Sequence, residues 1–127
     1  MDYHISKVLS VPFDEAVARV TEALAKEGFG MLTDIDVKAT LKKKLDVDFR
    51  NYRILGACNP AFAYRALQVE DRIGVMLPCN VVVQERAVGV EVSAIDPFVT
   101  MQAAGNPLLA DVAGQVQEKL KKVIESL

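Results

Sequence analysis

The hydrophobic positions of the chain follow two spacings, one typical of strands and one typical of helices. From Tyr3 to Val11, apolar residues recur at nearly every second position, which predicts a first strand with one buried face. Pro12 then opens a segment with apolar residues at helical spacing, so we predict an amphipathic helix that ends near Gly28. Its predicted buried stripe is Phe13, Val17, Val20 and Leu24.

The rest of the chain continues this alternation of strands and helices. Asp36 precedes a short segment that it can cap as a helix, and Gly89 lies within a valine-rich region that forms a predicted hairpin. A last helix is predicted from Pro107, because apolar residues recur at helical spacing up to Leu127. The other predicted elements are strands over residues 29–35, 52–58 and 73–86 and a helix over 60–69.

The order of these elements, β-α-β-α-β-α-β-β-α, predicts a single α+β domain over residues 1–127. We expect a two-layer α/β sandwich in which helices cover one face of a mixed, mostly antiparallel sheet. A doubly wound parallel sheet fits less well, because the hairpin at Gly89 is antiparallel and no glycine-rich phosphate loop follows the first strand.

The composition excludes several classes of protein. The 15 Lys and Arg residues are outnumbered by 17 Asp and Glu residues, so no nucleic-acid partner is expected. No apolar run approaches the ~20 residues that cross a membrane, so no membrane partner is expected. The chain starts without a secretory signal pattern, which predicts a cytoplasmic, reducing location with free thiols.

The two cysteines carry the main candidate chemistry, because each is followed by asparagine and has a proline within two positions. After Cys58, Asn59-Pro60 is a typical helix start in which Asn59 caps the helix and Pro60 takes its first position. A buried Cys58 would be a small hydrophobic residue, whereas an accessible Cys58 would gain thiolate character from the helix N-terminus.

Cys79 has a different local setting. It follows Pro78 within a strand-like segment, where a proline implies a sheet edge, a bulge or a break. Cys79 therefore either packs within the strand or points into a cleft beside the irregularity. A disulfide with Cys58 requires the two Cα atoms to lie within ~7 Å of each other.

A metal site or a cysteine nucleophile would need partners for these thiols. Structural zinc takes four protein ligands, usually cysteine or histidine. The chain offers only three such residues, Cys58, Cys79 and His4, so we assign no metal ligands. A two-thiolate Cu(I) site, within one chain or shared across a dimer, is left open by the chemistry. His4 is the only histidine available as a base for Cys58, but its position on the first strand favours a partly exposed strand residue.

Two carboxylates and a lysine run are further candidates. Asp34 and Asp36 share one face of the second strand and could act as a cation or acid–base pair, although Asp36 is also a natural helix cap. The run Lys42-Lys43-Lys44 is either a solvated helix face or a small anion-binding patch.

Four segments carry a resemblance that covers nearly the whole chain. They are Phe29–Leu45 (FGMLTDIDVKATLKKKL), Tyr52–Ala63 (YRILGACNPAFA), Ile73–Val83 (IGVMLPCNVVV) and Ile95-Asp96-Pro97. Together they resemble the bacterial and archaeal domain of unknown function 302 family. The resemblance implies a two-layer α+β fold with a topology similar to the TATA-binding-protein class, without implying DNA binding. It also implies a site of unassigned role at Cys58, Asn59, Pro60, Pro78, Cys79 and Asn80.

We therefore predict a small ligand-binding module, with Cys58, Asn59, Cys79 and Asn80 lining the site and Asp36 at its rim. The first alternative is a thiol-based redox or nucleophilic enzyme that uses Cys58. The second is a structural or interaction module, a homodimer in which both motifs only fix turns. The sequence assigns no cofactor and no particular small molecule to any of these.

Overall fold

The structure, a computed structural model, describes residues 2–127. Strands β1 to β5 run over His4–Leu9, Gly30–Asp36, Tyr52–Cys58, Cys79–Arg86 and Gly89–Ile95. Helices α1 to α5 run over Phe13–Lys26, Val37–Leu45, Pro60–Val69, Pro97–Thr100 and Ala110–Glu125. Short 3₁₀ turns occupy Asp71–Met76, Met101–Ala104 and Pro107–Leu109.

The five strands form one sheet in the order β1-β5-β4-β3-β2. Strands β2 to β5 follow one another as a meander, and β1 joins on the far side of β5. All four strand pairings in the described chain are antiparallel. The expected α+β sandwich with a mostly antiparallel sheet is therefore confirmed, without the parallel pairing that a mixed sheet would contain. The expected likeness to the TATA-binding-protein topology stays a prediction.

The two faces of the sheet have different environments. Val81 and Val83 of β4 and Val92 of β5 are fully buried beneath α1 and α5, as the period-two pattern predicts. The alternate residues of the same strands face the other way, where Asn80 and Gln84 lie in an open groove of about 420 Å³. The core therefore lies between the sheet and the helices, and the second face is open along this groove.

The predicted strand over residues 73–86 is wrong in its first part. Residues Asp71–Met76 form a 3₁₀ turn, and the peptide bond between Leu77 and Pro78 is cis. Strand β4 begins only at Cys79, because Pro78 has no amide hydrogen to donate to a strand ladder. The predicted irregularity at Pro78 is thus confirmed as a break.

Polar side chains fix the starts of three helical segments. Asp36 accepts a hydrogen bond from the backbone amide of the third residue of α2, so its predicted capping role is confirmed. Asp96 is buried, caps α4 and also accepts from the side-chain amide of Gln117. Asn106 caps the 3₁₀ turn at Pro107–Leu109, and α5 proper begins at Ala110, slightly later than predicted.

Candidate functional site

The two cysteines line the same cavity, named here the cysteine pocket. Cys58 is the last residue of β3 and Cys79 is the first residue of β4, and the strand register places Cys79 opposite Ala57. The cavity has a volume of about 30 Å³ and lies where the sheet ends beneath α3 and α5. Its lining is Phe29, Ala57, Cys58, Asn59, Phe62, Ala63, Ala66, Leu77, Pro78, Cys79, Met101, Val112, Ala113 and Val116.

The cysteine pocket has a partly exposed rim and a buried floor. Cys58, Asn59 and Phe62 are half-buried at the rim, whereas Cys79 and Met101 are each 7% exposed in the floor. The two thiols therefore occupy different depths of one cavity. Both are free thiols, so the disulfide left open by the sequence is not formed.

Burial controls the protonation of the deeper thiol. Burial, together with a smaller contribution from charge repulsion by the neighbouring Cys58 thiolate, raises the pKa of Cys79 to about 11. At neutral pH Cys79 is therefore a neutral thiol, a weak nucleophile. A reactive role for Cys58 stays a prediction.

Asn59 does not play the capping role that the sequence predicts. It occupies the N-cap position of α3 with Pro60 at the first helical position, but its side chain makes no capping hydrogen bond. Instead, its amide nitrogen donates to the backbone carbonyl of Glu27, 3.4 Å away. Gly28 allows this approach, because it has a φ of +85° and a Cβ there would lie 3.0 Å from the Asn59 amide nitrogen. Asn59 thus ties the first cysteine motif to the turn after α1.

The structure does not bring two other predicted site residues to the pocket. Asn80 lies on the opposite face of the sheet from Cys79, across from Gly56. Asp36 pairs with Arg53 at the end of β3 that is remote from Cys58, where its carboxylate caps α2. The predicted cluster therefore reduces to Cys58, Cys79 and Asn59.

The remaining polar candidates are engaged elsewhere. Arg53 Nε donates to Asp34 Oδ1 at 2.7 Å, and this bond lowers the pKa of the Asp34 carboxyl. His4 lies on the open face, where its Nδ1 is 2.7 Å from the hydroxyl oxygen of Ser6. Asp34 is therefore held in an ion pair, and His4 forms no pair with Cys58.

Sequence reasoning missed most of the apolar wall. Phe29 lies between α1 and β2, and Phe62 lies in the first turn of α3. Val112 and Val116 belong to the predicted apolar stripe of the last helix, whereas Ala113 is not part of it. That stripe could have indicated a buried face of α5. No sequence pattern indicates Met101, which reaches the pocket from a 3₁₀ turn after α4.

Residues 2–127 contain neither a metal-binding cluster of His, Cys, Asp and Glu side chains nor a membrane-spanning helix. No group of three or more His, Cys, Asp or Glu side chains in this range is placed to hold a metal ion. No helix of this range has both the length and the apolar character needed to cross a membrane.

An antiparallel sheet with helices packed on one face, and with two thiols in a cavity at its end, defines a small α+β sandwich domain. The chain belongs to the DUF302 family, a domain of unknown function, which matches residues 5–127. It is similar to a crystal structure of an uncharacterized conserved DUF302 protein from Bacillus stearothermophilus, with 28% identity, 98% coverage of each chain and a TM-score of 0.92. The predicted family is thereby confirmed. No curated protein matches the chain.

Proposed function

We propose that this chain is a small-ligand-binding module whose site is the cysteine pocket. The observation that carries the proposal is that Cys58 and Cys79, from two different strands, line one cavity. Concave apolar sites with a few convergent polar or reactive groups are the usual form of ligand pockets. The half-buried rim at Cys58 gives a ligand a route from solvent to the floor.

The size of the cavity limits the ligand. A water molecule needs ~10–15 Å³ of such space, so a cavity of about 30 Å³ holds two or three atoms of that size. Sites for drug-sized molecules are about 300–1,000 Å³. The proposed ligand is therefore a single ion or a molecule of very few heavy atoms.

Xenon tests whether the cavity accepts an occupant from solvent, because it enters small apolar cavities without needing a polar partner. Backbone amide chemical shifts are measured under xenon pressure. We expect shifts at Ala57, Ala63 and Ala113, which line the pocket, and none at Asn80 on the open face.

A matched pair of variants controls this measurement. Ala63→Leu fills the rim of the pocket and should abolish the xenon shifts. Ala110→Leu makes the same change at an exposed position of α5 and should leave them intact. Pocket amides that do not respond in the wild-type chain would contradict the proposed site.

A homodimer is the second candidate function we propose, because one edge of β2 is unpaired in the described chain and α2 buries no residue. Strand β2 pairs only with β3, all seven of its residues are exposed, and no residue of α2 is buried. A strand edge with free backbone groups is a template for pairing with another chain. Ile35 and Leu45, 47% and 66% exposed, give this edge apolar surface.

The distribution of charged residues along β2 and α2 favours a second copy of the chain as the partner that binds this edge. Residues 34–48 contain four lysines and four aspartates, so two antiparallel copies can place opposite charges together. Light scattering over a range of protein concentrations should show a dimer, and Ile35→Lys should convert it to a monomer. Val88→Lys, at an exposed turn away from this edge, is the control. A wild-type chain that stays monomeric would exclude the candidate.

A further inference from the structure

Three sulfur-containing side chains line the cysteine pocket: Cys58 at the rim and Cys79 and Met101 in the floor. We propose that this pocket binds one Cu(I) ion, with the two cysteines as thiolate ligands and the Met101 thioether as the third ligand. The inference rests on the proposed function, because it names the ligand class of the same pocket. The two cysteines alone allow a two-thiolate Cu(I) site, and Met101, which lines the same pocket, supplies the additional ligand.

The chemistry of the lining selects a soft ion. Thiolate and thioether ligands favour Cu(I), whereas carboxylates and waters suit Mg²⁺, Ca²⁺ and Mn²⁺. None of the described side chains that line the pocket is a carboxylate or a histidine, and Asn59 is the one amide. Structural zinc takes four protein ligands, and three sulfur atoms do not complete that set.

The size of the cysteine pocket also favours a soft ion over a hard, hydrated cation. A hard cation such as Mg²⁺ keeps several bound waters. The cavity of about 30 Å³ has no room for such a hydrated ion, whereas a bare ion bonded directly to sulfur fits within it.

Atoms and charges balance in the proposed binding of Cu(I), and no oxidant or reductant is needed. One Cu(I) ion forms two copper–thiolate bonds, the thiols of Cys58 and Cys79 release two protons to solvent, and copper keeps its oxidation state. The occupied site then carries one negative charge. The N-terminus of the ten-residue helix α3 lies directly after Cys58 and Asn59, and its positive partial charge offsets part of that charge.

The test is a titration of the reduced protein with Cu(I) under nitrogen, in competition with the chelator bicinchoninate. We expect one ion per chain and an X-ray absorption spectrum with sulfur ligands only. Loss of a residue that only hydrogen-bonds to a metal ligand lowers metal affinity by about 10–100-fold. Cys58→Ser and Cys79→Ser each remove a ligand bonded to the ion itself, so each should lower the affinity for Cu(I) by more than about a hundredfold.

Met101→Leu tests the third ligand at nearly constant volume. Because a neutral thioether binds copper more weakly than a thiolate, this change should lower the affinity for Cu(I) by about tenfold and remove one sulfur from the absorption spectrum. Met76→Leu is the matched control, because Met76 packs against the core but does not line the pocket. The affinity of this variant for Cu(I) should equal that of the wild-type chain. The thermal melting temperature of each metal-free variant separates loss of a ligand from loss of the fold.

The outcomes separate this inference from the proposed function. A wild-type chain that loses Cu(I) to the chelator but shows xenon shifts at the pocket would overturn the copper site and leave the ligand pocket standing. Copper binding that survives Cys58→Ser or Cys79→Ser, or that ignores Met101→Leu, would overturn the three-sulfur site. A chain that neither binds Cu(I) nor admits xenon would overturn both.

Discussion

The side-chain amide of Asn59 donates to the backbone carbonyl of Glu27, from the first residue before α3 to the residue just after α1. This bond joins two junctions that are 32 residues apart in the sequence. Since Asn59 also lines the cysteine pocket, the bond holds part of the pocket rim against the turn after α1.

The role of Asn59 as a donor predicts a specific response to substitution. Asn59→Ala should lower the free energy of unfolding by about 1 kcal/mol, the typical contribution of one hydrogen bond. Asn59→Asp should be no better, because a carboxylate cannot donate to Glu27, although Asp and Asn are equally good N-caps. Urea denaturation measures both. Asn80→Ala, the same change in the second motif, should stay within about 0.5 kcal/mol. A fully stable Asn59→Asp variant would contradict the donor role.

Two neighbouring residues, Thr33 and Pro78, leave no room for a side chain at Gly56. A Cβ there would collide with the Thr33 side chain and lie 2.8 Å from Pro78 Cγ. Gly56→Ala should therefore destabilise the chain by about 1–3 kcal/mol, the usual range for overpacking. Gly74→Ala is the control, since its nearest neighbour is a Leu67 carbon at 4.0 Å.

A double-variant cycle checks that the collision is the cause of the Gly56→Ala effect. Thr33→Ala removes the hydroxyl that meets the new Cβ, but Pro78 remains close. The combination should therefore recover part of the lost stability, measured by urea denaturation. Purely additive effects would place the cause elsewhere in the strand.

The buried thiol of Cys79 predicts a loss of stability at alkaline pH. Its pKa rises from an ordinary 9.0 to about 11 in the folded chain. Between these values the unfolded chain has lost the proton and the folded chain has kept it. The contribution is complete below pH 9.0 and is lost as the pH rises to about 11, by up to about 1.4 kcal/mol per pH unit.

Comparison with Cys79→Ala isolates this effect from the titration of lysines and tyrosines. The free energy of unfolding of both chains is measured by urea denaturation between about pH 8 and about pH 11. The stability advantage of the wild type should shrink with rising pH. Parallel curves for the two chains would show that Cys79 does not titrate in this window.

Asp96 and Asp36 both cap helices, but their burial differs. Asp96 is 7% exposed and accepts from two backbone amides and from Gln117, whereas Asp36 is exposed and accepts from the amide of Ala39. Asp96→Ala should lower the free energy of unfolding by about 2–3 kcal/mol, because it removes a buried cap and leaves the half-buried Gln117 amide without an acceptor. Asp36→Ala should lower it by about 1 kcal/mol or less. The free energies of unfolding are measured by urea denaturation. Equal losses of stability in the Asp96→Ala and Asp36→Ala variants would argue against the effect of burial.

The spacing of apolar residues predicted most elements of the fold, because a strand or helix with one fully buried face has apolar residues at a regular period. The valines of β4 and β5 and the apolar stripes of α1 and α5 are examples. The prediction of secondary structure failed where the apolar residues do not follow the period of a strand or a helix. Residues 73–76, which the pattern predicts as strand, belong to the 3₁₀ turn at Asp71–Met76.

The candidate site was predictable only in its two thiols. Their repeated motif drew attention to Cys58 and Cys79, but local sequence does not determine which face of a sheet a neighbour occupies until the register is known. Asn80 therefore fell on the opposite face from Cys79. Met101 lies 22 or more residues from either thiol along the chain, so only tertiary packing places it in the pocket.

The strand order has a consequence for how the chain folds. Strands β2 to β5 pair with their neighbours in sequence, whereas β1 reaches β5 through contacts such as Ser6 to Ser93, 87 residues apart. Closing so long a loop is entropically costly. We therefore expect strands β2 to β5, with both cysteines at the strand ends that flank α3, to form first and β1 to dock last. A conservative truncation in β1, Ile5→Val, should then accelerate unfolding and leave the refolding rate nearly unchanged.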